Sequence, residues 1–234
     1  FKDLYFALNY RIRTGIFTID PGLTLHFYDN NNTQLGQTHT KDISDVRPNL
    51  RVNMQFKKNE NLRFTYRKNT QFTDVNNISE GYIFNNYNSI FRGNRELEAA
   101  IVNSYNLNYR SINQFTFTNI YSNLSYSKRE NSIQSRAAID GINSVRTADN
   151  SIFPRETYSA RARLDRRFKN IKLNLSANFR YSEFSNIIND VVNNAESFNQ
   201  DYEASLETNF RDKPNFEIGL KYNLNNYKNA NIEN

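Results

Sequence analysis

The sequence predicts an all-β chain, a stretch of a transmembrane antiparallel up-and-down β-barrel. Three observations carry that expectation. Apolar residues recur at every second position through most of the chain. The alternating segments are longer than globular strands. The connections between them are by turns short and long.

The alternation is read directly. Leu4, Phe6, Leu8, Tyr10 and Ile12 share one parity, with Tyr5, Ala7, Asn9 and Arg11 between them. Further on, Ile171, Leu173, Leu175, Ala177, Phe179 and Tyr181 oppose Lys172, Asn174, Ser176, Asn178, Arg180 and Ser182. About ten strands follow, at 3–13, 16–28, 47–57, 62–71, 97–111, 114–128, 156–168, 171–184, 199–211 and 214–227. Globular strands average about 5–6 residues. These run to roughly 10–15, which at about 3.3 Å per residue and a tilt of about 45° crosses the hydrocarbon of a bilayer.

Connection length is sorted. Short turns fall at Arg13–Gly15, Lys57–Asn61, Ser111–Asn113, Phe168–Asn170 and Asp212–Asn215, and long polar loops at 29–46, 72–96, 129–155 and 185–198. That is the asymmetry of an outer-membrane barrel, with tight periplasmic turns and extended external loops.

Charge placement agrees. A Lys or Arg facing lipid at the midplane costs about 2–4 kcal/mol. Arg161, Arg163, Asp165 and Arg167 take the parity opposite to Tyr158, Ala160, Ala162 and Leu164; Arg166 breaks the rule, at a strand end where the penalty is small. Tyr10, Phe56, Tyr66, Tyr109, Phe168, Tyr181, Phe210 and Tyr222 gather near strand ends on the apolar parity, as two aromatic girdles would; the plainer reading is that Phe and Tyr favour strands. Two segments fit poorly. Pro21 falls inside 16–28, where it cannot donate to the ladder. Phe115 and Phe117 are out of phase with Leu124 and Tyr126, which predicts a bulge near Asn119.

Composition is consistent with a wall that is greasy on one side and wet on the other. Hydrophobic residues are 38% of 234 and mean hydropathy is −0.80, yet 18 Phe and 15 Tyr are present and no Trp. With 7 Gly and 4 Pro, the 40 Asn take over the turns. There is no Cys, so disulfides and cysteine–metal sites are excluded. The net charge of +6 is interleaved along the strands and not clustered on one element. It fits lumen lining and contact with a lipid bilayer and anionic lipopolysaccharide, not nucleic acid. No apolar run is long enough for a transmembrane helix. No secretory signal opens the chain, so a native start is expected upstream.

Catalytic chemistry is sparse. The two histidines are His26, on the polar parity with Asp20 and Asp29 nearby, and His39 in a long loop. Neither lies in a metal-ligand pattern, and a barrel protease would need carboxylates converging on a histidine. No phosphate-cradling glycine loop or nucleophile elbow appears. The expectation is a non-enzyme with no cofactor and no metal. Ligand contact is expected in loop 72–96, where Tyr82, Phe84, Tyr87, Phe91 and Arg92 sit among Asn and Ser; exposed rings there would stack on sugars or flat chelates. Packing of the same rings against neighbouring loops is an equal alternative.

Two stretches carry a family resemblance. Pro48-Asn49-Leu50-Arg51-Val52 leads through a short turn to Asn61-Leu62-Arg63-Phe64-Thr65-Tyr66-Arg67-Lys68. After the long loop comes Gly93-Asn94-Arg95-Glu96-Leu97-Glu98-Ala99-Ala100, then Tyr105-Asn106-Leu107-Asn108-Tyr109. Together they resemble the barrel of TonB-dependent receptors of the Bacteroidetes type. The loop before Gly93 lacks that group's usual prolines, and Ala100 stands where an acidic residue is common. The resemblance implies a cell-outer-membrane location and a barrel of about 22 strands, of which residues 1–234 form one partial barrel domain. It also implies a plug and coupling to a TonB-type inner-membrane protein through that plug, neither of which this sequence contains. The chain also ends without the terminal aromatic of a complete barrel. A surface lipoprotein is a further expected partner. Transport of a siderophore, glycan or peptide is the implied function. The alternatives are a non-transporting structural or assembly component of an envelope complex and a secreted β-repeat adhesin.

Overall fold

A computed structural model describes residues 1–189, 191–229 and 232–233, with backbone alone at Asn186, Ile188, Ile232 and Glu233. In chain order the elements are β1 (Lys2–Asn9), β2 (Ile12–Thr14), β3 (Phe17–Gln34), β4 (Gln37–Lys57), β5 (Glu60–Gln71), α1 (Val75–Ile78), β6 (Tyr82–Asn86), β7 (Ser89–Arg92), β8 (Ala100–Asn113), β9 (Thr118–Glu130), β10 (Ile133–Asp140), β11 (Asn143–Asn150), β12 (Arg155–Phe168), β13 (Ile171–Ile188), β14 (Val191–Thr208), β15 (Glu217–Asn229) and β16 (Ile232–Glu233). Counting β1 and β2 as one interrupted strand, ten long strands pair antiparallel in the order β1/β2, β3, β4, β5, β8, β9, β12, β13, β14, β15. Each long strand lies next to its predecessor, as in an up-and-down wall.

Register carries the sorting of side chains from strand to strand. Phe64 lies opposite Leu107, Leu107 opposite Leu124, Leu124 opposite Ala160 and Ala160 opposite Phe179. Because Cβ atoms alternate across a strand, these residues share one face. Arg161, Arg163, Lys172 and Arg180 lie on the other, facing Asn178, Ser176, Glu207 and Asn199 of adjoining strands. On the apolar face Tyr66, Tyr105, Tyr126, Tyr158 and Tyr181 line up across five strands, with successive ring centroids 4.9, 5.8, 4.7 and 6.2 Å apart. One row further from the short turns, the same parity carries Lys68, Lys128, Glu156 and Glu183. The apolar band therefore ends at a line of amphipathic rings and then at charge, the profile of a membrane interface.

The two awkward segments resolve differently. Pro21 does sit inside β3, opposite Tyr10. Tyr10 N–H donates to Pro21 O at 3.0 Å, and proline has no N–H to return the bond, so β1 and β2 are separated at Tyr10–Arg11. The bulge at Asn119 does not form, for the β8–β9 register is unbroken. Phe115 and Phe117 lie instead in the turn, where the Asn113 carboxamide accepts from the N–H groups of Phe115 and Thr116, both at 3.0 Å. An Asx turn, not an extra strand residue, shifts the phase.

The four long loops are also not irregular. Segment 29–46 and the described residues of 185–198 are extensions of the β3–β4 and β13–β14 hairpins, and 72–96 and 129–155 hold the β6–β7 and β10–β11 hairpins. Polar pairs stitch the first extension, with Thr33 Oγ1 2.9 Å from Thr38 Oγ1 and Thr40 donating to Asn31 at 2.6 Å. Side chains polar on both faces leave no apolar alternation to mark such a strand.

An arginine in place of Ala204, which faces Leu175 and Leu220 midway along the apolar face, is expected to cost about 2–4 kcal/mol in a bilayer. Ser205→Arg, one residue on and facing the other way, should cost about 1 kcal/mol or less. Urea unfolding of the vesicle-inserted protein measures both.

Candidate functional site

At the long-loop end the hairpins join into a continuation of the sheet. Arg136 and Ala137 of β10 pair parallel with Ile187 and Ile188 at the end of β13. Residues Ser144–Thr147 of β11 pair parallel with Ser89–Arg92 of β7. The order β13, β10, β11, β7, β6 places β6 at the edge.

This arrangement sorts the five loop residues singled out in the sequence. Tyr82 faces Arg92 and Phe84 faces Ile90 across β6–β7, so Tyr82, Phe84 and Arg92 share a face. The Arg92 guanidinium lies 5.7 Å from the Tyr82 ring centroid, within cation–π range. Tyr82 and Phe84 are 63% and 75% exposed, and Tyr87, at the turn, is 98% exposed. Phe91 pairs with Ile83 on the opposite face and is half-buried. The structure thus brings three of the five together, sets a fourth beside them at the tip, and turns the fifth away.

Glycine at position 93 fixes the base of this loop. A Cβ there would come within 2.6 Å of backbone atoms of Asn77 and Ser79. The close approach lets Gly93 N–H donate to Ser79 O at 2.8 Å and Asn94 N–H to Asn77 O at 2.7 Å. Gln34, at the tip of β3, clasps the same turn, donating to Ile78 O at 3.0 Å and accepting from Glu80 N–H at 2.8 Å. Here Gly93-Asn94, which opened one of the two resembling stretches, acts as a clamp between loop and hairpin.

A second cluster, on the polar face of β1, β3 and β4, escaped sequence reasoning. His26 Nδ1 is 3.0 Å from Asp3 Oδ1, and its Nε2 is 3.5 Å from Arg47, whose Nε donates to Asp45 at 2.6 Å. The His26 ring stacks between Tyr5 and Tyr28, at 5.5 and 5.3 Å, and Phe1 and Phe72 close on Tyr28. The carboxylates that flank His26 in the sequence do not reach it, since Asp20 is held by Arg11 and Asp29 by Lys2. Asp3 reaches it because cross-strand register sets Tyr5 opposite His26. That register is invisible in one strand read alone. Tyr28 is 5% exposed, so the cluster is a packed junction holding three strands. Among the described residues no group of three or more His, Asp or Glu is placed to hold a metal ion.

The comparisons with known proteins agree with this geometry. A family model described as the outer membrane protein beta-barrel family matches residues 4–234. The chain belongs to the outer membrane protein beta-barrel family. No curated protein matches its sequence. Similar solved structures include the FrpB iron transporter from Neisseria meningitidis. Its F5-1 variant gives a TM-score of 0.59 at 10% identity and its F3-3 variant 0.57 at 10%; each match covers 97% of this chain and 38% of the transporter. The copper transporter OprC gives a TM-score of 0.56 at 8% identity, over 96% of this chain and 39% of that one. At these identities the likeness is one of fold. The chain spans about two fifths of the length of these transporters. As an outer-membrane β-barrel chain it sets its apolar face against lipid and its polar face toward the lumen.

Gly93→Ala should loosen the loop base without disturbing the barrel wall. The expected result is faster protease cleavage between Phe72 and Arg95 with an unchanged β-sheet circular dichroism spectrum.

Proposed function

We propose that this barrel segment belongs to a receptor of the Bacteroidetes type that takes up a scarce nutrient, a siderophore, glycan or peptide, through TonB-type energy coupling. The observation that carries the reading is the ordered loop sheet over a polar lumen: exposed rings at Tyr82, Phe84 and Tyr87, with Arg92 beside Tyr82, stand at the mouth of a water-lined wall. Rings held on paired strands are ready to stack on a flat or sugar-like solute at small entropic cost. The similar structures, two variants of an iron transporter and a copper transporter, support uptake as the task.

Physics adds a requirement. Among the described residues β1 pairs only with β3, and β15 pairs beyond β14 only at Lys228 and Asn229, with the two-residue β16, so most of each outer edge is open, and hydrocarbon tolerates no such edge. In this reading further strands close the barrel through both, a plug fills its lumen, and a surface lipoprotein caps its mouth.

The test is growth of cells carrying the full-length protein on limiting iron chelates, oligosaccharides or peptides. Loss of the protein should abolish growth on one class. Each stacked ring contributes about 0.5–1.5 kcal/mol, so Tyr82→Ala with Phe84→Ala should slow uptake of that solute about tenfold at unchanged barrel content. Growth indifferent to loss of the protein on every class would instead favour a structural role.

A further inference from the structure

The lumenal face of the wall carries an unbalanced charge. On β5, β8, β9, β12 and β13 the only carboxylate among the described lumenal side chains is Asp165. Asp165 is already engaged, accepting from Arg163 Nε at 2.9 and 3.0 Å. The same strands contribute Arg63, Arg110, Arg161 and Arg163 to a single recess of about 530 Å³, floored by the carboxamides of Asn108 and Asn123.

Register explains the grouping. Arg63 faces Asn108, Asn108 faces Asn123 and Asn123 faces Arg161, which makes one row across four strands. Asn61, Arg110, Tyr121 and Arg163 make the next row toward the short turns. Asn123 donates to Asn108 at 2.7 Å; that bond leaves both amide N–H groups of Asn108 and one of Asn123 beside the guanidinium groups that line the recess. With strands about 4.8 Å apart, Arg110 and Arg163 stand roughly 10 Å apart at their backbones, a gap two long side chains can close around a small solute.

Among the described residues no carboxylate approaches Arg63, Arg110 or Arg161 within ion-pair distance, and none of the three donates a side-chain hydrogen bond. Like charges gathered on a wall of limited dielectric repel one another. A guanidinium presents a planar fork of donors that matches carboxylate or phosphate. We propose that this recess binds a solute bearing two or more anionic groups. Where the solute is the carried nutrient, which rests on the uptake reading above, the nutrient passes this wall as an anion and not as a bare metal cation.

The test is calorimetric titration of the full-length protein in dodecyl maltoside micelles at low salt, with citrate and with pyrophosphate as probes. Saturable binding is expected, weakening as salt is raised. In Arg63→Gln/Arg110→Gln/Arg161→Gln it should weaken by at least about tenfold, and the matching Arg→Lys triple should recover part of it. Lys68→Gln/Lys128→Gln, which removes charge from the lipid-facing parity, should bind as the parent does. Citrate alone binding would assign carboxylate, pyrophosphate alone phosphate, and either supports the recess. If the triple variant fails to fold, Arg110→Gln alone should still weaken binding several-fold. Binding of neither probe, or equal binding by parent and Arg variants, overturns the proposal. Growth unaffected by loss of the protein, with binding intact, would remove the uptake reading and leave the anion site standing.

Discussion

Backbone pairing in a medium without water is the constraint on which the rest of this structure depends. Within hydrocarbon each N–H and C=O must find a partner inside the protein, so strands can cross only as neighbours in a ladder. Once the ladder is fixed, every second side chain is committed to lipid. Phe64, Leu107, Leu124, Ala160 and Phe179 then fall on one face because their backbones are in register, and the polar residues between them are delivered to the lumen together. Fold and charge distribution are thus one decision.

The same constraint explains how the ends differ. Near the short turns there is little chain to spare, and Asn113 or Lys169, the latter at φ 49°, reverses direction within a few residues. At the other end the hairpins leave the hydrocarbon beyond the tyrosine row and water can again satisfy backbone groups. They are free to be long, and they spend that freedom on strands that pair parallel, β10 on β13 and β11 on β7. A surface built on paired strands is stiffer than one on irregular loops, and an aromatic such as Tyr82 keeps its position there.

How much of this was legible depended on whether lipid dictated the residue. Ile171 through Tyr181 could be assigned to faces from sequence because each apolar residue answers to hydrocarbon. The extension at 29–46 could not, since Asn31, Thr33, Thr38 and Thr40 pair with one another in water and either parity would serve. Phe115 and Phe117 were misread as strand residues because a turn made by the Asn113 side chain has no apolar signature. Of the loop candidates, that Tyr82, Phe84 and Arg92 share a face while Phe91 turns away follows only from the pairing of β6 with β7. The His26–Asp3 contact and the arginine recess each join residues far apart in the chain, and single strands do not reveal which rows they share.

The central claim is a period of two between lipid and water along each wall strand, and β13 tests it most directly. These 234 residues contain no cysteine, so single cysteines from Ile171 to Phe184 can be labelled one at a time with a fluorophore in vesicles. Labels at positions 171, 173, 175, 177, 179 and 181 should be quenched by a lipid-borne quencher, and those at 172, 174, 176, 178, 180 and 182 by an aqueous one. Quenching that is uniform along the strand, or that repeats every three to four residues, would contradict the account.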